Sequence, residues 1–135
     1  MMDKLVLIIE DNKENYYLMR YLLEHKGLRV IGADNGWMGI EMAIYNNPDI
    51  ILLDIQLPGM DGYSVARRIR AKDEIQDIPI VAVTSYAMVG DKEHALAAGA
   101  NGYIEKPINP DSFADQILEY LNIDETRRDD EDPMC

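Results

Sequence analysis

Residues 48–62 read Pro-Asp-Ile-Ile-Leu-Leu-Asp-Ile-Gln-Leu-Pro-Gly-Met-Asp-Gly, and this stretch decides the fold class. Its four consecutive apolar residues, 50–53, are typical of a strand that is buried on both faces of a parallel sheet. The strand ends at the carboxylate of Asp54, and a loop containing Pro58 and Gly59 follows. Ligands of open parallel sheets bind beyond the carboxyl ends of the strands, so Asp54 is the first candidate site residue.

Strand-like and helix-like segments alternate along the rest of the chain. Strands are predicted at 5–9, 28–33, 50–53, 78–83 and 102–104. Helices are predicted at 12–26, 35–46, 63–70 and 89–98. A last helix opens with Asn109 as its cap and Pro110 at its first position, and it carries Phe113, Ile117 and Leu121 on one side.

Five strand–helix units in a row predict parallel strands joined by right-handed crossovers, with helices on both faces of the sheet. The expected architecture is a flavodoxin-like, doubly wound (βα)5 fold of the α/β class. Its five-stranded sheet has the strand order 2-1-3-4-5.

Length and composition fit one globular domain, since the chain has 135 residues, of which 47% are hydrophobic and 28% charged. The formal net charge of -12 disfavours binding to nucleic acid and favours divalent cations and basic partner surfaces. The single cysteine, Cys135, excludes an internal disulfide framework. The first apolar run, 5–9, is too short for a signal peptide or a membrane span, so a cytoplasmic protein is expected.

The apolar periodicity stops near the C-terminus. We expect one domain over 1–122 and a disordered acidic tail over 123–135, where six acids and two arginines show no apolar period. A tail of this composition can also bind a basic partner, and this alternative stays open.

Polar side chains follow four of the five predicted strands. They are Glu10 and Asp11, then Asp54, then Thr84 and Ser85, and finally Lys106. Because the carboxyl ends of parallel strands share one edge, these groups are expected to converge. Three carboxylates that lie so close repel one another unless a cation neutralises them. We therefore expect Mg2+ (or Mn2+), which binds carboxylate oxygens and leaves positions for water and a phosphate oxygen.

Asp54 has the setting of a nucleophile, because a buried strand and a stiff loop hold its carboxylate. Phosphoryl transfer depends mainly on positioning and on neutralising oxygen charge, which a metal ion, Lys106 and Thr84 can supply. Each residue alone has a plainer interpretation. Glu10 and Asp11 are then acids at a helix N-terminus, Thr84 a β-branched strand residue and Lys106 a surface cation.

Four segments, taken in order, carry a family resemblance. They are Leu-Val-Leu-Ile-Ile-Glu-Asp-Asn at 5–12, the stretch 48–62, Pro-Ile-Val-Ala-Val-Thr-Ser at 79–85, and Ala-Gly-Ala-Asn-Gly-Tyr-Ile-Glu-Lys-Pro-Ile at 98–108. From about Lys4 to Leu121 the chain resembles the receiver domain of two-component response regulators. Within that family it resembles single-domain receivers of the differentiation and cell-cycle type.

The resemblance implies a role for each residue of the site. Asp54 is the phosphoacceptor. The ligands of Mg2+ are Glu10, Asp11, Asp54 and the main-chain carbonyl of Gln56. The residues that bind the phosphoryl group or take part in the switch are Thr84, Lys106, Ser85 and Tyr103. It also implies a cis peptide bond between Lys106 and Pro107.

The implied function is that of a phosphoprotein in phosphorelay signal transduction, one that assists its own phosphorylation and dephosphorylation but is not an enzyme. It takes its phosphoryl group from a histidine kinase or a histidine phosphotransfer protein, and it then docks a downstream effector. Few residues follow the last helix, so no output domain is expected. A partner-docking switch, a phosphorelay intermediate and a receiver cut from a hybrid histidine kinase all stay open, as do a monomer and a phosphorylation-dependent dimer.

Two other classes use a related fold. Aspartyl-nucleophile phosphatases of the haloacid dehalogenase type need a second acid two residues after the nucleophile, and Gln56 stands there. A flavin carrier is disfavoured because three acids would face an anionic phosphate without a glycine- or serine-rich cradle.

Three further expectations concern surfaces. Asn15, Tyr16 and Met19 on the first helix are predicted to dock the histidine donor, which must reach Asp54 from that side. His25 and His94 are predicted to be exposed helix residues without a metal. Trp37 is predicted to be a partly buried packing residue.

Overall fold

The strands and helices alternate along the chain as the sequence predicts. The computed structural model describes residues 4–85 and 90–121. The strands are β1 (Leu5–Ile9), β2 (Arg29–Ala33), β3 (Ile50–Asp54), β4 (Ile80–Thr84) and β5 (Gly102–Glu105). The helices are α1 (Lys13–Glu24), α2 (Gly36–Asn46), α3 (Gly62–Arg70) and α4 (Asp91–Ala98). A fifth helix, α5, covers the described residues 113–121.

The five strands form one parallel sheet in the order β2-β1-β3-β4-β5, which confirms the predicted flavodoxin-like architecture. Ile9 of β1 pairs with Leu53 of β3. Asp54 pairs with Val83 of β4. Because the registers are aligned, the residues that follow each strand lie along one edge. The strand order reverses between β1 and β3, which is where ligands bind in this class of sheet.

Alternate residues of each strand pack into two separate cores, as a sheet covered on both faces requires. One core joins side chains such as Leu7, Leu53 and Ile80 to α2, α3 and α4. The other joins Val6, Leu52 and Val81 to α1 and α5. The sheet is therefore rigid, and it holds its carboxyl edge in a fixed geometry.

Phe113, Ile117 and Leu121 are all buried in the second core, which confirms the predicted apolar side of the last helix. The predicted start of that helix at Asn109 and Pro110 is too early, because residues 110–112 form a turn and the helix begins at 113. The Asn109 Oδ1 accepts a hydrogen bond from the Asp111 amide at 2.9 Å, and the Asn109 carbonyl accepts one from the Phe113 amide at 2.9 Å.

Element bounds differ from the prediction at two strands that carry the site. β3 extends to Asp54, so the candidate nucleophile is itself part of the hydrogen-bonded ladder. β4 runs from Ile80 to Thr84, later than predicted, because Pro79 has no N–H to donate to a ladder. The predicted start of a helix at 89 and the predicted tail over 123–135 lie outside the described residues.

The prediction for Trp37 is wrong, since its side chain is 59% exposed. α2 turns Gly36, Ile40 and Ala43 towards the core, and position 37 lies about 100° further round the helix, on its outer side. The guanidinium of Arg68 lies 4.9 Å from the centroid of the Trp37 ring. Both histidines, His25 and His94, are exposed as predicted. Within the described ranges, no helix is both long and apolar enough to cross a membrane.

Candidate functional site

Buried polar side chains are concentrated at the carboxyl edge of the sheet. Within the described part of the chain, the polar or charged side chains that are buried are Glu10, Asp54 and Thr84. Each stands at or directly after the end of a strand: β1, β3 and β4. Burial of ionisable groups is unfavourable unless they are paired or bind a ligand, so their clustering marks a functional site.

Lys106 follows β5 and points into the same cluster. Its Nζ lies 2.6 Å from the Glu10 Oε1 and 3.5 Å from the Asp54 Oδ2, and its side chain is 9% exposed. The Lys106 amide donates to the Thr84 carbonyl at 2.8 Å, which fixes the start of the β5–α5 loop beside β4. One ammonium group is thus shared between two carboxylates from different strands.

Three carboxylates lie within reach of a single ion. Oxygens of Glu10, Asp11 and Asp54 lie within 4.8 Å of one another. Burial raises the pKa of Glu10, and the negative charge of Asp54 raises it further, while the hydrogen bond from Lys106 opposes both. The single positive charge of Lys106 does not balance three carboxylates, so negative charge remains in excess at the site. This donor set fits a hard divalent cation such as Mg2+.

The Asp54 carboxylate is held by its own loop. The Gln56 amide donates to the Asp54 Oδ1 at 3.1 Å. The loop folds back so that the Gly62 amide donates to the Ile55 carbonyl at 2.8 Å. A Cβ at Gly62 would lie 2.5 Å from the Asp54 carbonyl oxygen, so only glycine allows this approach without a shift of the backbone.

The mouth of the site is bordered by Gln56 and Ser85. The Ser85 Oγ lies 3.5 Å from the Gln56 Oε1, at the outer limit of a hydrogen bond. On the other side, the Lys106–Pro107 peptide bond is cis, which confirms that part of the prediction. These residues surround the Asp54 carboxylate on the solvent side.

Tyr103 lies on β5, where the family resemblance places the aromatic switch residue. Its hydroxyl oxygen is buried and has no hydrogen-bond partner within residues 4–85 and 90–121. Burial raises the pKa of this phenol, and the charge of Asp91 raises it further. A buried hydroxyl without a partner is unfavourable by about 1–3 kcal/mol. The switch role itself stays a prediction.

The predicted donor-docking face needs one correction. Met19 is 2% exposed and packs into the core with Leu23, so it presents almost no surface to a partner. The adjacent Leu18, which is 39% exposed, presents the apolar surface at this point of α1, and the docking role of this face stays a prediction. Asn15 and Tyr16 are partly exposed, as a docking role requires. Sequence reasoning could not choose between Leu18 and Met19, because two adjacent apolar residues fit the same helical pattern.

A small cleft near Asp54 contains residues that sequence reasoning missed. Asn15, Leu18 and Met19 of α1 line it together with Lys106, Pro107 and Ile108. The signal that could have found Ile108 was its place directly after the predicted cis proline, in a loop at the carboxyl edge of the sheet.

Comparison with known proteins gives one consistent result. Residues 6–118 match the model of the response regulator receiver domain family. The polar-differentiation response regulator DivK of Brucella anthropi is 42% identical over 120 residues, which cover 89% of this chain and 98% of the relative. The DivK protein of Brucella ovis is 40% identical over the same shares of the two chains.

Two solved structures are similar in fold and sequence. The receiver domain of sensor histidine kinase PA1611 from Pseudomonas aeruginosa, with a magnesium ion coordinated in its active site cleft, has a TM-score of 0.82 and 33% identity. That match covers 89% of this chain and 98% of the other. The CheY-like receiver domain protein of Methanospirillum hungatei has a TM-score of 0.85 and 28% identity, covering 93% and 98% of the two chains.

Proposed function

Because the chain belongs to the response regulator receiver domain family, we propose that it accepts a phosphoryl group on Asp54 and thereby changes a protein-binding surface. The observation that carries this proposal is the buried Asp54 carboxylate, which lies at a strand end beside Lys106. A paired cation and a fixed backbone are what an aspartate nucleophile needs.

In the proposed reaction, an Asp54 carboxylate oxygen forms a bond to phosphorus, and the bond from phosphorus to the donor atom breaks. The donor is a phosphohistidine, and its imidazole leaves with the electron pair of the broken bond. Lys106 neutralises charge on the phosphoryl oxygens, and Thr84 donates a hydrogen bond to one of them. The Gln56 amide, which contacts the Asp54 Oδ1, keeps the carboxylate oriented.

The cluster of carboxylates supports a divalent ion at this site. We assign Glu10, Asp11, Asp54 and the main-chain carbonyl of Gln56 to Mg2+ (or Mn2+), because the three side chains have oxygens within 4.8 Å of one another. When bound, the ion neutralises negative charge on the carboxylates and on the incoming phosphoryl oxygens.

Phosphorylation then acts on a two-state surface. In the proposal, Thr84 moves towards the phosphoryl group and the Tyr103 ring turns inward, which reshapes the surface of α4, β5 and α5. The buried, unpartnered hydroxyl of Tyr103 supports this, since such a group gains from another arrangement. In this proposal the protein is a phosphoacceptor that assists its own phosphorylation and dephosphorylation. It acts in the cytoplasm and catalyses no reaction of a separate substrate.

The proposed partners are a histidine kinase or histidine phosphotransfer protein as the donor, and a downstream effector. The similarity to DivK proteins over 98% of the relative's length favours a switch that works as a single domain. A relay intermediate has the same site chemistry, but its phosphoryl group passes on to a second histidine. Phosphorylation-dependent dimerisation is a further outcome of the same surface change.

We expect one phosphoryl adduct when the chain is incubated with Mg2+ and acetyl phosphate, measured by intact mass. Borohydride reduction followed by peptide mapping should place it on Asp54, and chelation of Mg2+ before the incubation should prevent it. An adduct that is stable to base, that maps elsewhere, or that forms equally in chelator contradicts the proposal.

Leu18→Ala and Ile108→Ala are expected to slow phosphotransfer from a histidine kinase that phosphorylates the wild-type chain by about tenfold, because each removes apolar docking contact. Labelling by acetyl phosphate should be unchanged, since neither side chain contacts Asp54. Tyr45→Ala is the matched control, because this 85% exposed residue is on α2. Equal transfer rates in all three variants would contradict the proposed docking surface but not the assignment of the acceptor site.

A further inference from the structure

Exposed apolar side chains are concentrated on α1 and α2. Seven large apolar side chains are exposed within the described ranges, and six of them belong to these two helices. They are Tyr17, Leu18 and Tyr21 on α1, and Trp37, Met38 and Tyr45 on α2; the seventh is Leu96 on α4. Tyr17 and Tyr21 stand one helical turn apart on α1, and exposed aromatic side chains of this kind are enriched at interaction sites.

A cleft joins the two helices at the edge of the sheet. It has a volume of ≈ 260 Å³, and Tyr16 and Tyr17 of α1 line it opposite Met38 of α2. β2 is an edge strand of the sheet, and its residue Gly32 forms part of the cleft floor. The cleft is thus separate from the small cleft beside Lys106 and from the surface of α4, β5 and α5.

The floor of the cleft is built by a glycine. A Cβ at Gly32 would lie 2.3 Å from the Tyr16 ring, so the absence of a side chain lets this ring lie directly on β2. The Tyr16 and Tyr17 rings then meet edge to face, with their centroids 5.4 Å apart. The result is a fixed aromatic corner rather than two mobile side chains.

The charge around the cleft is negative. Two exposed acids, Asp11 and Asp34, and one exposed base, Lys13, are among its lining residues. Glu10 also borders the cleft, but its carboxylate is buried and paired with Lys106. Aromatic ring faces beside carboxylates suit a guanidinium, which stacks on rings and forms two parallel hydrogen bonds to a carboxylate. A lysine ammonium is more strongly hydrated and fits such a corner less well.

We propose that this cleft binds an arginine side chain of a partner protein, whose apolar neighbours pack on Tyr17 and Tyr21 of α1. The charge complementarity of the cleft selects the arginine. Tyr21 is 65% exposed and stands one helical turn after Tyr17, so α1 offers aromatic surface to a protein partner, which a small amine does not need.

The test is a titration of the isotope-labelled chain with N-acetyl-arginine amide, followed by amide chemical shifts. We expect saturable shifts at Gly32, Asp34 and Met38. N-acetyl-citrulline amide, which has the same shape without the charge, should bind much more weakly, and N-acetyl-lysine amide should be intermediate.

Variants distinguish the cleft from the acceptor site. Tyr17→Ala and Asp34→Asn should each weaken arginine binding by about two- to fivefold. Lys13→Ala should strengthen it, because it removes the one cation of the lining. Tyr45→Ala is the control and should change nothing, since residue 45 is about 10 Å further along α2 than Met38.

Two results would overturn the proposal. One is equal binding of the arginine and citrulline compounds, or of the wild type and Tyr17→Ala. The other is binding that Asp34→Asn leaves unchanged, which would show that the probe occupies the Glu10–Asp54 cluster instead. All of these variants should still be labelled by acetyl phosphate, so failure of this proposal and failure of the acceptor assignment are separable.

Discussion

Asp54→Asn is expected to abolish the phosphoryl adduct entirely while the chain remains folded. The amide has no nucleophilic oxygen of comparable strength, and no other carboxylate of the cluster is part of a strand as Asp54 is. The variant has the same shape as the wild type, so the hydrogen bond from the Gln56 amide can persist. Intact mass after incubation with Mg2+ and acetyl phosphate measures the effect.

The same variant should be more stable than the wild type in metal-free buffer. Lys106 remains paired with Glu10 at 2.6 Å, and one of two buried like charges is removed. We expect the free energy of unfolding to rise by about 1 kcal/mol. The stabilisation that Mg2+ gives to the wild type should be largely lost, because a ligand stabilises only the state that binds it.

Denaturant titrations of both proteins, with and without Mg2+, measure these changes. Ser64→Ala on α3 provides a surface control. An adduct on Asp54→Asn, or undiminished stabilisation of this variant by Mg2+, would contradict the assignment of Asp54 to both roles.

Arg70→Ala is expected to lower the free energy of unfolding by about 2–4 kcal/mol, because it leaves several acceptors without a donor. The Arg70 Nε donates to the Gly99 carbonyl at 2.9 Å. Its Nη1 donates to the carbonyls of Gln76 at 2.8 Å and Ile78 at 2.7 Å. Its Nη2 donates to the Asn101 Oδ1 at 2.7 Å.

This guanidinium joins three separate parts of the fold at the amino edge of the sheet. The Asn101 Oδ1 also accepts from the Ile80 amide at 2.8 Å, so the network reaches the first residue of β4. Burial lowers the pKa of Arg70, as expected for a guanidinium bonded largely to neutral carbonyls. Loss of the network loosens the connections into β4 and β5.

Arg67→Ala is the matched control, because Arg67 is exposed on the same helix and its Nη2 donates only a long hydrogen bond of 3.4 Å to the Ser64 Oγ. It should change stability by less than about 0.5 kcal/mol. Arg70→Lys should recover only part of the loss, since an ammonium cannot reach all four acceptors. Equal stabilities of Arg70→Ala and Arg67→Ala, measured by urea denaturation, would refute the role of the network.

The fold could be predicted from the amino-acid sequence alone, and so could the grouping of the polar residues at the strand ends. The run 50–53 is apolar at every position, so it has to be buried on both faces, and alternation with helical segments then requires a parallel sheet. Residues that follow such strands lie along one edge of the sheet, whatever the conformations of the loops. Glu10, Asp54 and Lys106 could therefore be grouped although they are distant in sequence.

Only the tertiary structure decided which contacts these residues make. Lys106 lies closer to Glu10 than to Asp54, a pairing between residues 96 positions apart that no local pattern encodes. On α1 and α2, periodicity could not decide that Met19 is buried while Leu18 and Trp37 are exposed. The orientation of a helix about its axis depends on packing against the sheet, and adjacent apolar residues fit several orientations.

The cleft between α1 and α2 depends on tertiary structure for the same reason. Its tyrosines, its glycine floor and Met38 come from three elements, and the fit of the Tyr16 ring on Gly32 depends on how α1 packs over β2. Local sequence patterns thus predicted the buried strands and the residues that end them, because these follow from each segment's own residues. Distances between segments follow from tertiary packing, so they are set only in the folded chain.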